Sequence, residues 1–194
     1  MPKFYFIRHG KTKGNEEKRY IGRSDEALST LGREEILALR EKDIPKAVEA
    51  LFVSPMKRCR ESASILFPDK EMVIVPDFRE YDFGRFEGKN YQELLSEPSY
   101  VSWLDSGGAE PFPEGEGMPY FKERVTKAFE DVLRACTVLP EEAVCAFVVH
   151  GGTIMSIMEK YNASGGAYYD YQIPNGSFMC VSWDGKFPCR LYKV

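Results

Sequence analysis

Lys3-Phe4-Tyr5-Phe6-Ile7-Arg8-His9-Gly10 decides the fold. An aromatic and β-branched run closed by glycine reads as a buried strand. A second run, Ala143-Val144-Cys145-Ala146-Phe147-Val148-Val149, ends in the same way, in His150-Gly151-Gly152. The chain has 2 histidines, so every imidazole it owns stands at one of these strand ends. In an open α/β sheet the strand ends carry the ligand crevice. Both rings are therefore expected in one crevice, far apart in sequence and close in space. Histidine is the side chain whose ordinary pKa lies nearest neutrality. Either histidine alone reads as well as a structural residue; two independent strand-His-Gly placements point to a shared site.

Working outward, strands and helices alternate. Ser29 reads as an N-cap, with Leu31, Ile36, Leu37 and Leu39 carrying a helical period toward Pro45. Glu49 to Val53 reads as a strand, and Pro55 then opens a helix at its first position, running to Phe67. Met72 to Val75 is a third strand. Phe121, Val125, Ala128, Phe129 and Val132 repeat at helical spacing from Met118 to Ala135. A helix follows His150 through Lys160, and Phe178 to Val181 and Arg190 to Val194 read as edge strands or a hairpin. This order predicts an α/β fold of three layers, α/β/α, with a mostly parallel sheet and an antiparallel edge strand. At 194 residues a single domain spanning 1–194 is expected.

The segment from Ser96 to Pro119 breaks the rhythm. It holds Pro98, Gly107, Gly108, Pro111, Pro113, Gly115, Gly117 and Pro119, too much glycine and proline for a regular element. It is expected to be an insertion over the crevice, a lid that Tyr100, Trp103 and Phe112 could line. A plain surface loop is the alternative.

Composition narrows the function classes. Charged residues of both signs are interspersed, with a net charge of −4 and no basic stripe, so nucleic acid is not expected as a partner. Apolar stretches are strand-length, so no membrane span is expected. The start, Met1-Pro2-Lys3, lacks a signal-peptide pattern. The 5 cysteines are odd in number and none form CxxC, which fits buried thiols in a reducing cytoplasm. No cysteine adjoins either histidine or a glycine-rich turn along the chain, which leaves a thiol nucleophile poorly supported.

Four segments carry candidate chemistry. In Arg8-His9-Gly10-Lys11-Thr12-Lys13-Gly14-Asn15, a strand end turns into a helix start whose free N–H groups attract anions. Arg8 adds a planar fork for two phosphate oxygens, and Thr12 and Asn15 add neutral hydrogen bonds. In Ser54-Pro55-Met56-Lys57-Arg58, a cation sits in the first turn of a helix against the macrodipole, a cost that a bound anion offsets. In Arg79-Glu80-Tyr81-Asp82-Phe83-Gly84-Arg85-Phe86-Glu87, carboxyls alternate with aromatics, and a carboxyl against aromatic rings tends to stay protonated and serve as an acid. In His150-Gly151-Gly152-Thr153, glycines let the backbone approach a ligand closely. Two arginines, two histidines, an acid and two helix starts make an apparatus for a phosphoryl group. The chain lacks a P-loop motif and the carboxylate clustering of a dinuclear metal phosphatase. It also lacks the Cys-Gly-rich-Arg signature of a thiol phosphatase, which leaves histidine as nucleophile.

These segments resemble the histidine phosphatase superfamily, which includes the cofactor-dependent phosphoglycerate mutases. Arg8-His9-Gly10 with Thr12 and Asn15, Tyr20-Ile21-Gly22-Arg23-Ser24-Asp25, Leu28-Ser29 with Leu31-Gly32, Ser54-Pro55 with Arg58, Glu80-x-x-Phe83-Gly84-x-x-Glu87-Gly88, His150-Gly151-Gly152 and Asn175-Gly176-Ser177 follow the family order. Ser62 stands where the family usually has threonine. The resemblance covers nearly the whole chain and implies a phosphoglycerate mutase-like fold. It implies that His9 is the phosphorylated nucleophile, that Arg8, Arg58 and His150 surround the transferring group, and that Glu80 is the proton donor. It implies that Thr12, Asn15, Ile21, Gly22 and Gly151 contact substrate, and that no metal or organic cofactor is needed. Physics alone does not choose between Glu80 and Glu87; the resemblance places the acid at Glu80.

The pattern is closer to short phosphatases resembling α-ribazole phosphatase than to the glycolytic mutases, which carry an arginine-rich segment. Here Ser106 to Pro119 is acidic and has neither arginine nor lysine. The expectation is therefore hydrolysis of a small phosphorylated substrate in the cytoplasm. A mutase-type phosphotransferase and a non-catalytic phosphate-binding module are the alternatives, and a homodimer is left open.

Overall fold

The structure is a computed structural model that describes residues 1–41, 44–108 and 110–194. In chain order the elements are β1 (Lys3–Arg8), α1 (Lys13–Glu16), α2 (Thr30–Arg40), β2 (Ala50–Val53), α3 (Lys57–Leu66), β3 (Val73–Ile74), α4 (Tyr91–Leu94), α5 (Pro98–Asp105), α6 (Met118–Cys136), β4 (Val144–Val149), α7 (Gly151–Tyr161), β5 (Phe178–Trp183) and β6 (Leu191–Lys193). The sheet runs β3-β2-β4-β1-β5-β6. The first four of these strands are parallel, and β5 and β6 join antiparallel at one side.

Alternation along the strands divides the core in two. Phe4, Phe6, Phe52, Phe147 and Val149 point to one face, where α6 and α7 supply Phe121, Val125, Phe129, Ile154 and Ile157. Ile7, Leu51, Val53, Ala146 and Val148 point to the other, against Ile36 of α2 and Cys59, Ala63 and Leu66 of α3. This is the expected three-layer α/β/α arrangement.

Local expectations fare unevenly. Ser29 caps α2, accepting from the Gly32 N–H at 3.0 Å. The approach to Pro45 runs through residues 42–43, outside the described residues. Pro55 does not open α3: Met56 is the N-cap and the helix starts at Lys57. The third strand shrinks to Val73–Ile74, both exposed.

The 96–119 segment is not without regular structure. Pro98 takes the first position of α5, where its missing N–H costs nothing, and Pro119 lies in the first turn of α6. Tyr100 and Phe112 are buried, packing with Trp103, Phe86, Phe83, Tyr81 and Tyr20 in an aromatic cluster. Tyr81, Phe86, Tyr100 and Phe112 are continuous with the core on the α6 and α7 face, with Tyr20, Phe83 and Trp103 packed against it.

Candidate active site

The register of two parallel strands builds the centre. Arg8 pairs with Val149 across β1 and β4, so the next residues, His9 and His150, leave adjacent strands side by side. Their rings meet edge to face with centroids 5.1 Å apart. On the other side of β4, Val53 pairs with Val148, and Ser54 leaves β2 with its hydroxyl 2.7 Å from Nε2 of His150. Three neighbouring parallel strands thus deliver polar groups to one sheet edge, at their carboxyl ends.

His9 is buried, and its Nδ1 lies 2.7 Å from the Gly10 carbonyl oxygen. A carbonyl only accepts, so Nδ1 carries the hydrogen and Nε2 keeps its lone pair. Burial, then the charge of Arg58, holds the His9 pKa well below its usual value, against a smaller pull from the Gly10 carbonyl. Burial also dominates at His150, followed by the charges of Arg58, His9, Arg8 and Arg124, and likewise lowers its pKa. Both rings are neutral at neutral pH.

Two guanidinium groups flank them. Arg58 is fully buried at the start of α3; Nη1 donates to Ser24 O at 2.8 Å and Nη2 to Gly22 O at 2.9 Å. Arg8 donates from Nη1 to Ile173 O at 2.7 Å. Among the described residues the Nε–H of each is buried without a partner, although buried donors are almost always paired. Burial lowers the Arg8 pKa, opposed by the charge of Glu80 and reinforced by Arg58. The side chain nonetheless stays cationic, given an ordinary arginine value above ~12. A site with one buried and one half-buried cation and two idle N–H donors is complementary to a tetrahedral anion.

Glu80 completes the ring of groups. Its Oε2 accepts from the Gly152 N–H at 3.3 Å, at the start of α7, and its Oε1 from the Tyr81 N–H at 3.0 Å. The two glycines after His150 are there for space. A Cβ on Gly152 would lie 2.4 Å from Glu80 Oε1, and one on Gly151 3.2 Å from Arg8 Cζ. A cavity of about 660 Å³ opens beside Glu80, its lining including Arg23, Met56, Arg79, Asp82, Glu116 and Tyr120.

The remaining expected residues brace this centre. Thr12 caps α1, accepting from the Asn15 N–H while its own N–H donates to Asn15 Oδ1. Asn175 donates to His9 O at 3.2 Å and to Asn15 Oδ1 at 3.4 Å. With its carbonyl engaged, Asn15 has only its NH₂ to offer a ligand. The carbonyls of Ile21 and Gly22 both face Arg58 and the Gly22 N–H donates to Glu87, while Gly22 lines the cavity. Glu87 also accepts from Arg23 N and Ser24 Oγ. It is the anchor of the 20–25 loop, whereas Glu80 faces the cavity.

Several contributors were hidden in the sequence. Cys59, which adjoins no histidine along the chain, lies with Sγ 3.5 Å from His150 Nε2. Burial pushes its thiol up to about 12, so it stays protonated and a poor nucleophile. Ser62 accepts from the Gly10 N–H at 3.1 Å, closing the turn after His9. Arg124, on the buried face of α6, forms an ion pair with Glu116 at 2.6 Å. The clue to Arg124 was a cation in the apolar stripe of Phe121, Val125 and Ala128.

Comparison with known proteins places the chain in a family. A protein of Hydrogenobacter thermophilus named "Putative phosphoserine phosphatase 2" is 28% identical over 162 residues, 81% of this chain and 77% of that protein. "Probable phosphoglycerate mutase GpmB" of Escherichia coli is 29% identical over 155 residues, 78% of this chain and 70% of its own length. The crystal structure of the α-ribazole phosphatase from Shigella flexneri superposes with a TM-score of 0.83 at 20% identity, covering 99% of this chain and 95% of that one. This likeness establishes the shared fold. The sequence profile of the histidine phosphatase superfamily (branch 1) matches residues 4–191, and the chain belongs to that superfamily.

Proposed function

We propose that this protein hydrolyses phosphomonoesters of small metabolites through a phosphohistidine on His9. The observation that carries the reading is the pair of idle Nε–H donors of Arg8 and Arg58 beside two neutral imidazoles. The Nε2 lone pair of His9 attacks phosphorus as the bond to the leaving oxygen breaks. That oxygen keeps the bonding pair and takes a proton from Glu80. Arg8, Arg58 and His150 balance the charge spread over the phosphoryl oxygens. Water then gives a proton to Glu80 while its oxygen attacks phosphorus, the N–P bond breaks, and phosphate leaves a neutral His9. No step passes through a metal.

Hydrolysis is favoured over transfer between phosphoglycerates by the composition of the 106–119 segment, which has three carboxylates and neither arginine nor lysine. The test is phosphate release from p-nitrophenyl phosphate, with and without EDTA, against interconversion of phosphoglycerates. The expected result is EDTA-insensitive hydrolysis that exceeds interconversion. In reactions with labelled substrate quenched in alkaline detergent, the wild type is expected to carry an acid-labile, base-stable phosphoryl group. His9→Ala is expected to carry none and to lose about 10³-fold or more in turnover with its fold intact. Near-normal turnover of that variant refutes the nucleophile. Tight phosphate binding with no turnover on a wide ester panel favours a binding module.

A further inference from the structure

Arg124 is a fully spent guanidinium, and what it is spent on is the segment that carries Glu80. Nε donates to Glu116 Oε1 at 2.6 Å and Nη2 to Glu116 Oε2 at 2.8 Å. Nη1 donates to Asp77 O at 2.8 Å and Arg79 O at 3.0 Å, and Nη2 to Glu80 O at 3.1 Å. All five N–H groups of an arginine are thereby used. Arg124 and Glu116 are both buried, at 7% and 9% exposure, so the pair is shielded from solvent and bidentate.

The need for such a clamp lies in the backbone. Residues 79–82 belong to no helix or strand, so no ladder fixes the carbonyls of Arg79 and Glu80. Glu116 closes the arrangement from the other side: its N–H donates to Asp82 O at 3.0 Å, and its Oε2 accepts from Asp82 N at 3.4 Å. Two buried side chains, one on α6 and one on the 106–117 segment, thus hold the chain on both sides of Glu80–Tyr81.

We propose that Arg124 and Glu116 are positioning residues that set the reach of Glu80 to the leaving oxygen. The proposal rests on Glu80 being the proton donor. Glu116 borders the cavity beside Glu80 with its carboxylate held by Arg124, and among the described residues neither side chain hydrogen-bonds to His9, His150, Arg8 or Arg58. Arg124→Lys and Glu116→Gln therefore disturb the Glu80 side first, and Arg124→Lys keeps the charge felt at His150.

The test compares kcat/KM for p-nitrophenyl phosphate and phenyl phosphate, which differ little in shape but strongly in how much the leaving oxygen needs a proton. In Glu80→Gln the ratio is expected to widen by about 10-fold or more, in keeping with the size of general-acid effects. In Arg124→Lys and Glu116→Gln it should widen in the same direction by about 3-fold or more, and the double variant Glu80→Gln/Arg124→Lys should be no wider than Glu80→Gln alone. A merely structural role lowers both substrates equally; an unchanged ratio in folded Arg124→Lys and Glu116→Gln, with a widened one in Glu80→Gln, overturns the proposal alone. An unchanged ratio in Glu80→Gln overturns the proposal together with the acid assignment. Should Arg124→Lys fail to fold, the near-isosteric Glu116→Gln decides.

Discussion

Nδ1 of His9 lies 2.7 Å from the carbonyl oxygen of Gly10, and this one contact leaves Nε2 as the nitrogen with a free lone pair. The same ring is kept neutral by burial and by Arg58, so it is ready to attack without first losing a proton.

That neutrality has a cost in acid. His9 and His150 both have folded pKa values well below the usual histidine value of 6.5. Above that value neither the folded nor the unfolded chain binds these protons. As pH falls below it, the unfolded chain takes up protons that the native state refuses. Stability then falls by about 1.4 kcal/mol per pH unit for each such proton, until the folded pKa is reached. Denaturation midpoints measured from about pH 8 to about pH 5 should stay level and then drop, and His150→Asn should flatten the drop. A profile level down to about pH 5 contradicts the burial argument.

Arg58→Lys keeps the charge and loses the fork. Lysine cannot reach Ser24 O and Gly22 O while also presenting an N–H where Nε now lies idle. Inhibition by inorganic phosphate should weaken by about 10-fold or more, since a charged hydrogen bond in a buried site is worth roughly 1.5–3 kcal/mol. Unchanged inhibition would remove Arg58 from the anion site.

Gly152→Ala tests the approach of Glu80 to α7. The added Cβ meets Glu80 Oε1 at 2.4 Å and Phe121 Cζ at 2.9 Å. A carboxylate end can swing aside, so the protein should fold, with the acid displaced. Turnover of phenyl phosphate should fall by about 10-fold, and that of p-nitrophenyl phosphate by less. Full activity would mean that the carboxylate works equally well elsewhere.

Phe112→Ala tests the aromatic cluster. Phe112 is buried among Tyr20, Tyr81, Phe83, Phe86 and Trp103. Truncation should cost about 3–5 kcal/mol, read as a lowered denaturation midpoint. A loss below about 1 kcal/mol would identify the ring as a loosely held lid group.

Much of this was written in local patterns. Strand-His-Gly at residues 9 and 150 located the crevice because a buried strand needs an apolar run and a turn needs glycine, both visible along the chain. Ser29 announced α2 for the same reason: a cap acts within one turn. Within the 96–119 segment Pro98 misled, because it was read as a breaker when it occupies a helix start that tolerates proline.

The sequence by itself determined the layer order, the strand-end histidines, the two arginines and the family, since each is carried by short-range pattern and spacing. Tertiary structure decided that Glu80 and not Glu87 faces the cavity, that Cys59 sits inert beside His150, and that Arg124 grips the Glu80 segment. Those outcomes depend on which groups end up within 3 to 4 Å of each other across dozens of residues. Distance and burial of that kind arise only when the sheet and helices pack.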